Sequence, residues 1–372
     1  MRIDISQLQP RAWKILSRSC RADRMASAYL LHGQPGVGGW YTALSLAALL
    51  NCENSSERDG MTIPCQTCRN CRTIYSVNSE LLFAAVPIGT HKNSSEMMTL
   101  YGEVLQTKRD APLKPYRPTS TAHIPVEMAR DLKRQLSRRP DAGTWRVVIF
   151  YQMERMLTSS ADALLKLIEE PPRNTVVVMT CRRPDTLLPT IQSRSQKIKL
   201  ASNPASLIEQ YLVEQEGLHP DAAALYARLS DGAIGQAIEM AEQAGEEDSS
   251  RRVGLQLFKS LLIEDGASTL SHLNELLPSN DRGEAEALLA LWQSLVRDCT
   301  MFAATGDQTR IANIDFGADS QKLSMQFAQP QTAPHVVNQI KFTLADLKRN
   351  VHIQTALMAM VLRIKSGLPA SR

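Results

Sequence analysis

The chain has 372 residues and a formal net charge of +4, too long for a single domain core and too weakly basic to predict a nucleic-acid partner. Its 43% hydrophobic content excludes wholesale disorder, and its 5% aromatic share makes the expected cores aliphatic. No apolar stretch approaches the roughly 18 residues of a membrane-spanning helix, and Met1–Ile5 has no signal-peptide core, so a cytoplasmic protein with no membrane partner is expected.

Ala28–His32 (AYLLH) reads as a short buried strand and Trp40–Leu50 as a helix. Between them lies Gly33–Trp40, GQPGVGGW. A phosphate-binding loop needs G-x-x-x-x-G-K-[ST] at this place, after a strand and opening a helix. Gly33 and Gly38 occupy the two glycine positions and Gly36 adds freedom, but Gly39 stands where the lysine belongs and Trp40 where the Mg²⁺-binding hydroxyl belongs. The lysine supplies the charge that pairs with the β- and γ-phosphates. No ATP is therefore expected in this loop, which reads as a degenerate nucleotide loop or as an ordinary strand-to-helix turn.

Cys52, Cys65, Cys68 and Cys71 follow in the spacing C-x12-C-x2-C-x2-C. Closely spaced thiolates converge on one ion from a tight turn, which Pro64 helps stiffen, so structural Zn²⁺ is expected with no open position for substrate. An iron–sulfur cluster or unmetallated thiols are the alternatives. Cys20, Cys181 and Cys299 are scattered and read as core residues or as incidental, and disulfides are not expected in this compartment. Arg69 and Arg72 flank the cysteines, but Glu53, Glu57 and Asp59 offset them, so a nucleic-acid knuckle is the weaker reading.

Residues 89–122 are polar and proline-containing with weak periodicity, and read as a surface insertion or partly ordered loop. A helix over Val126–Ser137 carries Arg130, Lys133 and Arg134, with Arg138, Arg139 and Arg146 nearby; a solvated face or a phosphate contact both fit. Arg146–Tyr151 (RVVIFY) is the next strand. In an NTPase such a strand ends in an acidic pair, yet here Tyr151 and Gln152 stand at its end. Ser159 or Ser160 caps a helix Ala161–Glu170 that Pro171 and Pro172 stop, Thr175–Thr180 is a strand covered on both faces, and Ser195–Leu200 is a fourth candidate. Beyond Asn203 strand signals vanish: Pro204–Glu242 reads as short helices, Glu246–Arg251 as a linker, and the remainder as helical with a doubtful loop at Thr305–Thr332. Near the end, Ile353, Leu357, Met360, Val361 and Ile364 share one helical face.

Ala163–Pro172 (ALLKLIEEPP), TVVVMTC and LLPTIQSRSQ, in that order and spacing, resemble the AAA+ clamp-loader family. The resemblance is close over roughly residues 5–245 and only architectural beyond. It implies an α/β AAA+ parallel-sheet core with the cysteine module (52–71) inserted over residues 1–202, a helical lid over 203–245, and a helical collar for oligomerisation over 246–372. Thr180 matches the sensor position of the family's strand, and Ser193-Arg194-Ser195 matches its S-R-C motif, with serine for cysteine. Gly235 matches the position of the second-domain sensor arginine, a third loss beside those at Gly39–Trp40 and Tyr151–Gln152. The implied function is that of a non-hydrolysing subunit of the DNA polymerase III clamp loader, with Arg194 reaching in trans to a neighbour's γ-phosphate. Implied partners are the ATPase and clamp-opening subunits, primed DNA within the assembly, and the sliding clamp indirectly. From the residue alone, Arg194 is also readable as a surface arginine paired with a carboxylate. Two rival functions are an active ATPase with an atypical loop and a zinc-dependent nucleic-acid-binding module on the same scaffold.

Overall fold

β-Branched and aliphatic runs build the sheet at the centre of residues 1–239, the first of two compact units; the second spans residues 240–372. The computed structural model describes residues 3–22, 24–119, 121–136, 143–156, 167–276 and 281–368.

Strands β1 (Ala28–His32), β4 (Leu82–Ala85), β5 (Arg146–Phe150), β6 (Thr175–Cys181) and β7 (Gln196–Lys199) form one sheet in the order β4-β5-β6-β1-β7, while β2 (Ser56–Arg58) and β3 (Met61–Ile63) make a separate hairpin. Every pairing in the large sheet is parallel. Both β5 and β6 are buried along their whole length, which explains uninterrupted apolar runs in place of alternation. Strand β1 lies between β6 and β7, so the chain crosses over it after β6. Ligand crevices of open α/β sheets form at the carboxyl ends of strands where the order switches in this way.

Ahead of the sheet come α1 (Ile5–Leu8) and α2 (Pro10–Arg21), and α3 (Gly39–Leu50) follows β1 directly. From Trp40 to Leu49 α3 is buried on all sides, as befits a helix pressed against a sheet and covered by its neighbours. α4 (Arg69–Tyr75) closes the cysteine module. Half of the expected loop at 89–122 is helix. α5 (Ser94–Asp110) runs for 17 residues, started by Asn93, whose side chain accepts the Glu96 N–H. Its buried positions Met97, Val104 and Lys108 form one stripe, and Tyr101 on the same face donates to the Ala84 carbonyl at 3.1 Å. A lysine in place of an aliphatic residue weakened the apolar periodicity there. Strand β4 also escaped the sequence reading.

α6 (Val126–Leu136) buries Met128, Leu132 and Leu136. Of the expected basic cluster, Arg146 lies apart from the solvated face. Arg146 belongs to β5, is 4% exposed, and donates to the Leu136 carbonyl at 3.0 Å; Arg134 pairs with Asp131 at 2.9 Å. Arg138, Arg139 and the Lys133 side chain lie outside the described residues, as do Ser159, Ser160 and most of the helix expected at 161–170. α7 (Pro189–Ser193) leads into β7, and three short helices follow: α8 (Ala205–Glu216), α9 (Pro220–Leu229) and α10 (Ile234–Glu242).

The second unit is helical. Its elements include α11 (Ala244–Ile263), α12 (Gly266–Leu276), α13 (Arg282–Thr305), α14 (Gly317–Leu323), α15 (Thr332–Lys348) and α16 (Ile353–Gly367). The linker expected at 246–251 is helix within α11: Glu and Arg are good helix formers, and polarity alone does not break a helix. Phe258, Trp292, Leu295 and Val361 lie in one hydrophobic cluster with Leu357, Met360 and Ile364. The doubtful loop region folds around buried Asp298, whose carboxylate accepts the backbone N–H groups of Ala312 and Asn313 at 2.9 and 2.8 Å.

Candidate functional site

The turn after β1 retains the backbone of a phosphate-binding loop. Gly36 and Gly38 have φ of +90° and +105°, where a side chain is strained, and Gly38 caps α3 from the left-handed region. Gly39 and Trp40 stand where such a loop carries its lysine and hydroxyl. Trp40 is 2% exposed and meets Tyr151 edge-on, with ring centroids 5.4 Å apart at 78°, a favourable aromatic geometry. Two bulky rings thus fill the space where a hydroxyl–Mg²⁺ pair and an acidic side chain would face each other.

Gln152, next to Tyr151, has φ +56°. Its backbone N–H donates to the Thr180 hydroxyl at 2.9 Å, and its side-chain amide donates to the Tyr116 carbonyl at 2.7 Å. Thr180 sits opposite Leu31 in the β1–β6 register and is 6% exposed. Its hydroxyl therefore holds β5 to β6. Gly235, in the first turn of α10, donates its N–H to the Gly36 carbonyl at 2.9 Å. Gly33, Gly36, Gly38, Gly39, Trp40, Tyr151, Gln152 and Thr180 line one cavity of about 720 Å³, and Gly235 is not among its lining residues.

Residues from the supposed insertion line the same cavity. Lys108, Leu113, Tyr116 and Arg117 all reach it. Lys108 is 1% exposed; its ammonium donates to the Lys114 carbonyl and lies 4.8 Å from the Tyr151 ring centroid. Burial drives its pKa down to about 7, against the opposing pull of Glu239. Sequence reading missed these residues. The available signal was the proline spacing at 112, 115 and 118, which fixes φ at every third residue and stiffens a segment of otherwise unremarkable polarity.

Arg194 is not among the residues lining this cavity. It follows the last residue of α7, donates to the Thr190 carbonyl at 3.2 Å, and pairs with Glu169 at 2.5 Å with both side chains about two-fifths exposed. The carboxylate partner weighed as the plain alternative is thus present in the isolated chain.

The four cysteines come together. Their sulfur atoms all lie within 4.8 Å of one another, and tetrahedral thiolates around one ion stand roughly 3.8 Å apart at Zn–S bonds of about 2.3 Å. Cys52 follows the end of α3, and Cys68 caps α4 with its sulfur accepting the Cys71 N–H. Backbone N–H groups of Cys65 and Cys68 point at the sulfurs of Cys52 and Cys65 at 3.2 and 3.3 Å. Burial pushes the Cys65 thiol up, but the N–H groups of Cys68 and Thr67 outweigh it and hold the thiol down at about 6. Burial raises Cys71 and Cys52, as happens to thiols buried without a counter-charge. The set fits a metal ion. The β2–β3 hairpin between Cys52 and Cys65 docks on α2, where Trp13 donates to the Thr62 carbonyl at 3.0 Å. None of the four cysteines lines the cavity. Of the others, Cys181 and Cys299 are buried, and all seven are free of disulfides.

Residues 8–204 match the family model described as DNA polymerase III, delta subunit. The DNA polymerase III subunit delta' of Bacillus subtilis (strain 168) is 26% identical over 368 residues, covering 98% of each chain. The tau subunit of Escherichia coli (strain K12) is 28% identical over 294 residues, which is 76% of this chain but 40% of that one. A DNA polymerase III gamma subunit-related protein from Thermotoga maritima, solved as a crystal structure, aligns with a TM-score of 0.43 at 13% identity, covering 94% of this chain and 98% of that one. With a five-stranded parallel sheet and a family match over more than half its length, the chain belongs to the DNA polymerase III delta-subunit family of clamp-loader proteins.

Proposed function

We propose that this chain is a non-hydrolysing clamp-loader subunit of the DNA polymerase III holoenzyme that supplies Arg194 in trans to the ATP bound by a neighbouring subunit. The observation that carries the reading is the joint replacement of the catalytic positions on an intact scaffold: Gly39 and Trp40 for lysine and hydroxyl, Tyr151 and Gln152 for the acidic pair, and Gly235 for the sensor arginine. A fold kept while its own phosphate chemistry is dismantled serves something other than hydrolysis. Thr180, in the sensor position, is spent on the Gln152 N–H.

Arg194 lies outside the cradle of its own chain and is partly exposed. Its bond to Glu169 is no obstacle, because an exposed ion pair contributes only about 0–1 kcal/mol and releases readily to a triphosphate. An arginine that neutralises charge developing on the transferring phosphoryl group accelerates the step by about 10³-fold or more. The partners in this reading are the ATPase subunits and the clamp-opening subunit, with primed DNA held within the assembly and the sliding clamp engaged through it, all in the cytoplasm. The Cys52–Cys71 set is a closed structural Zn²⁺ site. The short helices over 203–245 serve as lid, and residues 246–372 as the oligomerising collar.

The test is reconstitution with the ATPase subunits and clamp. In complexes carrying Arg194→Ala, DNA-stimulated turnover at the adjoining ATP site is expected to fall by about 10³-fold, with assembly on gel filtration unchanged. Turnover equal to wild type in an intact complex would remove the finger role.

A further inference from the structure

We infer that residues 108–118 form an internal strap that takes over nucleotide's bridging role, lining one side of the cradle and holding the three-helix segment 205–239 to it whether or not nucleotide is present. In a nucleotide-binding protein of this architecture, phosphate bridges the glycine loop and the helical segment beyond the sheet. Here that bridge is made by protein.

The strap is fixed at both ends. On the sheet side, buried Lys108 sits over the Tyr151 ring and donates to Lys114, the Tyr116 N–H reaches the Tyr151 hydroxyl at 3.3 Å, and Gln152 donates to the Tyr116 carbonyl at 2.7 Å. On the helical side, Arg117 grips Glu239 through two nitrogens at 2.8 and 3.2 Å. Between them the Leu113 carbonyl passes so close to Gly235 that a Cβ there would lie 2.1 Å from its oxygen. The same Gly235 donates to the Gly36 carbonyl at 2.9 Å, so the glycine loop, the strap and α10 meet at one residue.

The residues that replaced the catalytic ones are the strap's socket. Tyr151 offers the ring and hydroxyl, Gln152 the amide, and Gly235 the room. An acidic pair at 151–152 would remove the Tyr151 hydroxyl and the Gln152 amide donor, and an arginine at 235 would expel Leu113. The losses and the strap are thus one device. Each hydrogen bond adds only about 1 kcal/mol, but four anchors and prolines at 112, 115 and 118 order the segment at low entropic cost. The inference does not depend on the role of Arg194.

Hydrogen exchange read by mass spectrometry on the full chain tests it. In the wild type, peptides covering residues 33–40 and 231–239 are expected to exchange slowly and at the same rate with no nucleotide, with Mg²⁺-ATP and with ADP. Gly235→Ala pushes a methyl into Leu113, and Gln152→Ala cuts one hook without touching the helical segment. In each, those two peptides are expected to exchange at least tenfold faster, while peptides from β1 and β6 keep their protection. Unchanged protection in both variants, or protection in the wild type that appears only with nucleotide, would overturn the strap.

Discussion

Lys108 is the side chain with the least ordinary surroundings in the first unit. Its ammonium, 1% exposed, carries a pKa of about 7 where an unfolded chain has 10.5. Between those values the unfolded chain binds more protons than the folded one, so the stability of the unit rises with pH across that window and is lost as pH falls toward 7. Lys108→Met removes the titration and keeps the volume. The variant is expected to exceed wild type by about 1–2 kcal/mol at pH 7, with the gap closing as pH approaches 10, as read by urea unfolding at a series of pH values. A gap that is constant with pH, or widens upward, would contradict the assignment. Glu239 is the carboxylate that opposes the shift, and it is itself paired with Arg117. Arg194 differs in kind: it is exposed, paired at the surface, and positioned by a five-residue helix that starts with Pro189.

At the scale of elements, the cysteine module shows how sequence spacing becomes a site. C-x2-C-x2-C was legible because short spacings force the thiols together whatever the surroundings, and the sulfurs do lie within 4.8 Å. A metal ion held by the four sulfurs would tie the end of α3 to the start of α4. One zinc per chain is expected by elemental analysis. Chelation or Cys71→Ser is expected to lower the thermal midpoint by roughly 5–10 °C, since a structural ion contributes directly to folding; an unchanged midpoint with no metal bound would exclude a structural role. Strands β1, β5 and β6 were equally legible, because a two-face-buried strand is an uninterrupted apolar run. α5 was not, since Lys108 interrupts its apolar face and its partner β4 is only four residues long. Nor was the helix through 246–251, where charge density imitated a linker.

At the scale of the whole molecule, the sequence motifs picked out residues 33–40, 151–152 and 180 that line one cavity, while the return of residues 108–118 to the same cavity was legible only in three dimensions. Nothing local to residues 108–118 says that they return to the end of β5; that depends on where α5 lays its C-terminus against the sheet. The same separation runs through the account of function. The residues at 39–40, 151–152 and 235 carry the proposal of a non-hydrolysing subunit, and the comparisons show the clamp-loader family. In the proposed function, partly exposed Arg194 is what the chain offers a neighbour. The central claim is that this chain's own cradle performs no nucleotide chemistry. Its most direct test is Mg²⁺-ATP binding and phosphate release by the purified chain alone: the account predicts neither saturable binding at micromolar nucleotide nor release above buffer, and a tightly held triphosphate turned over without companion subunits would contradict it.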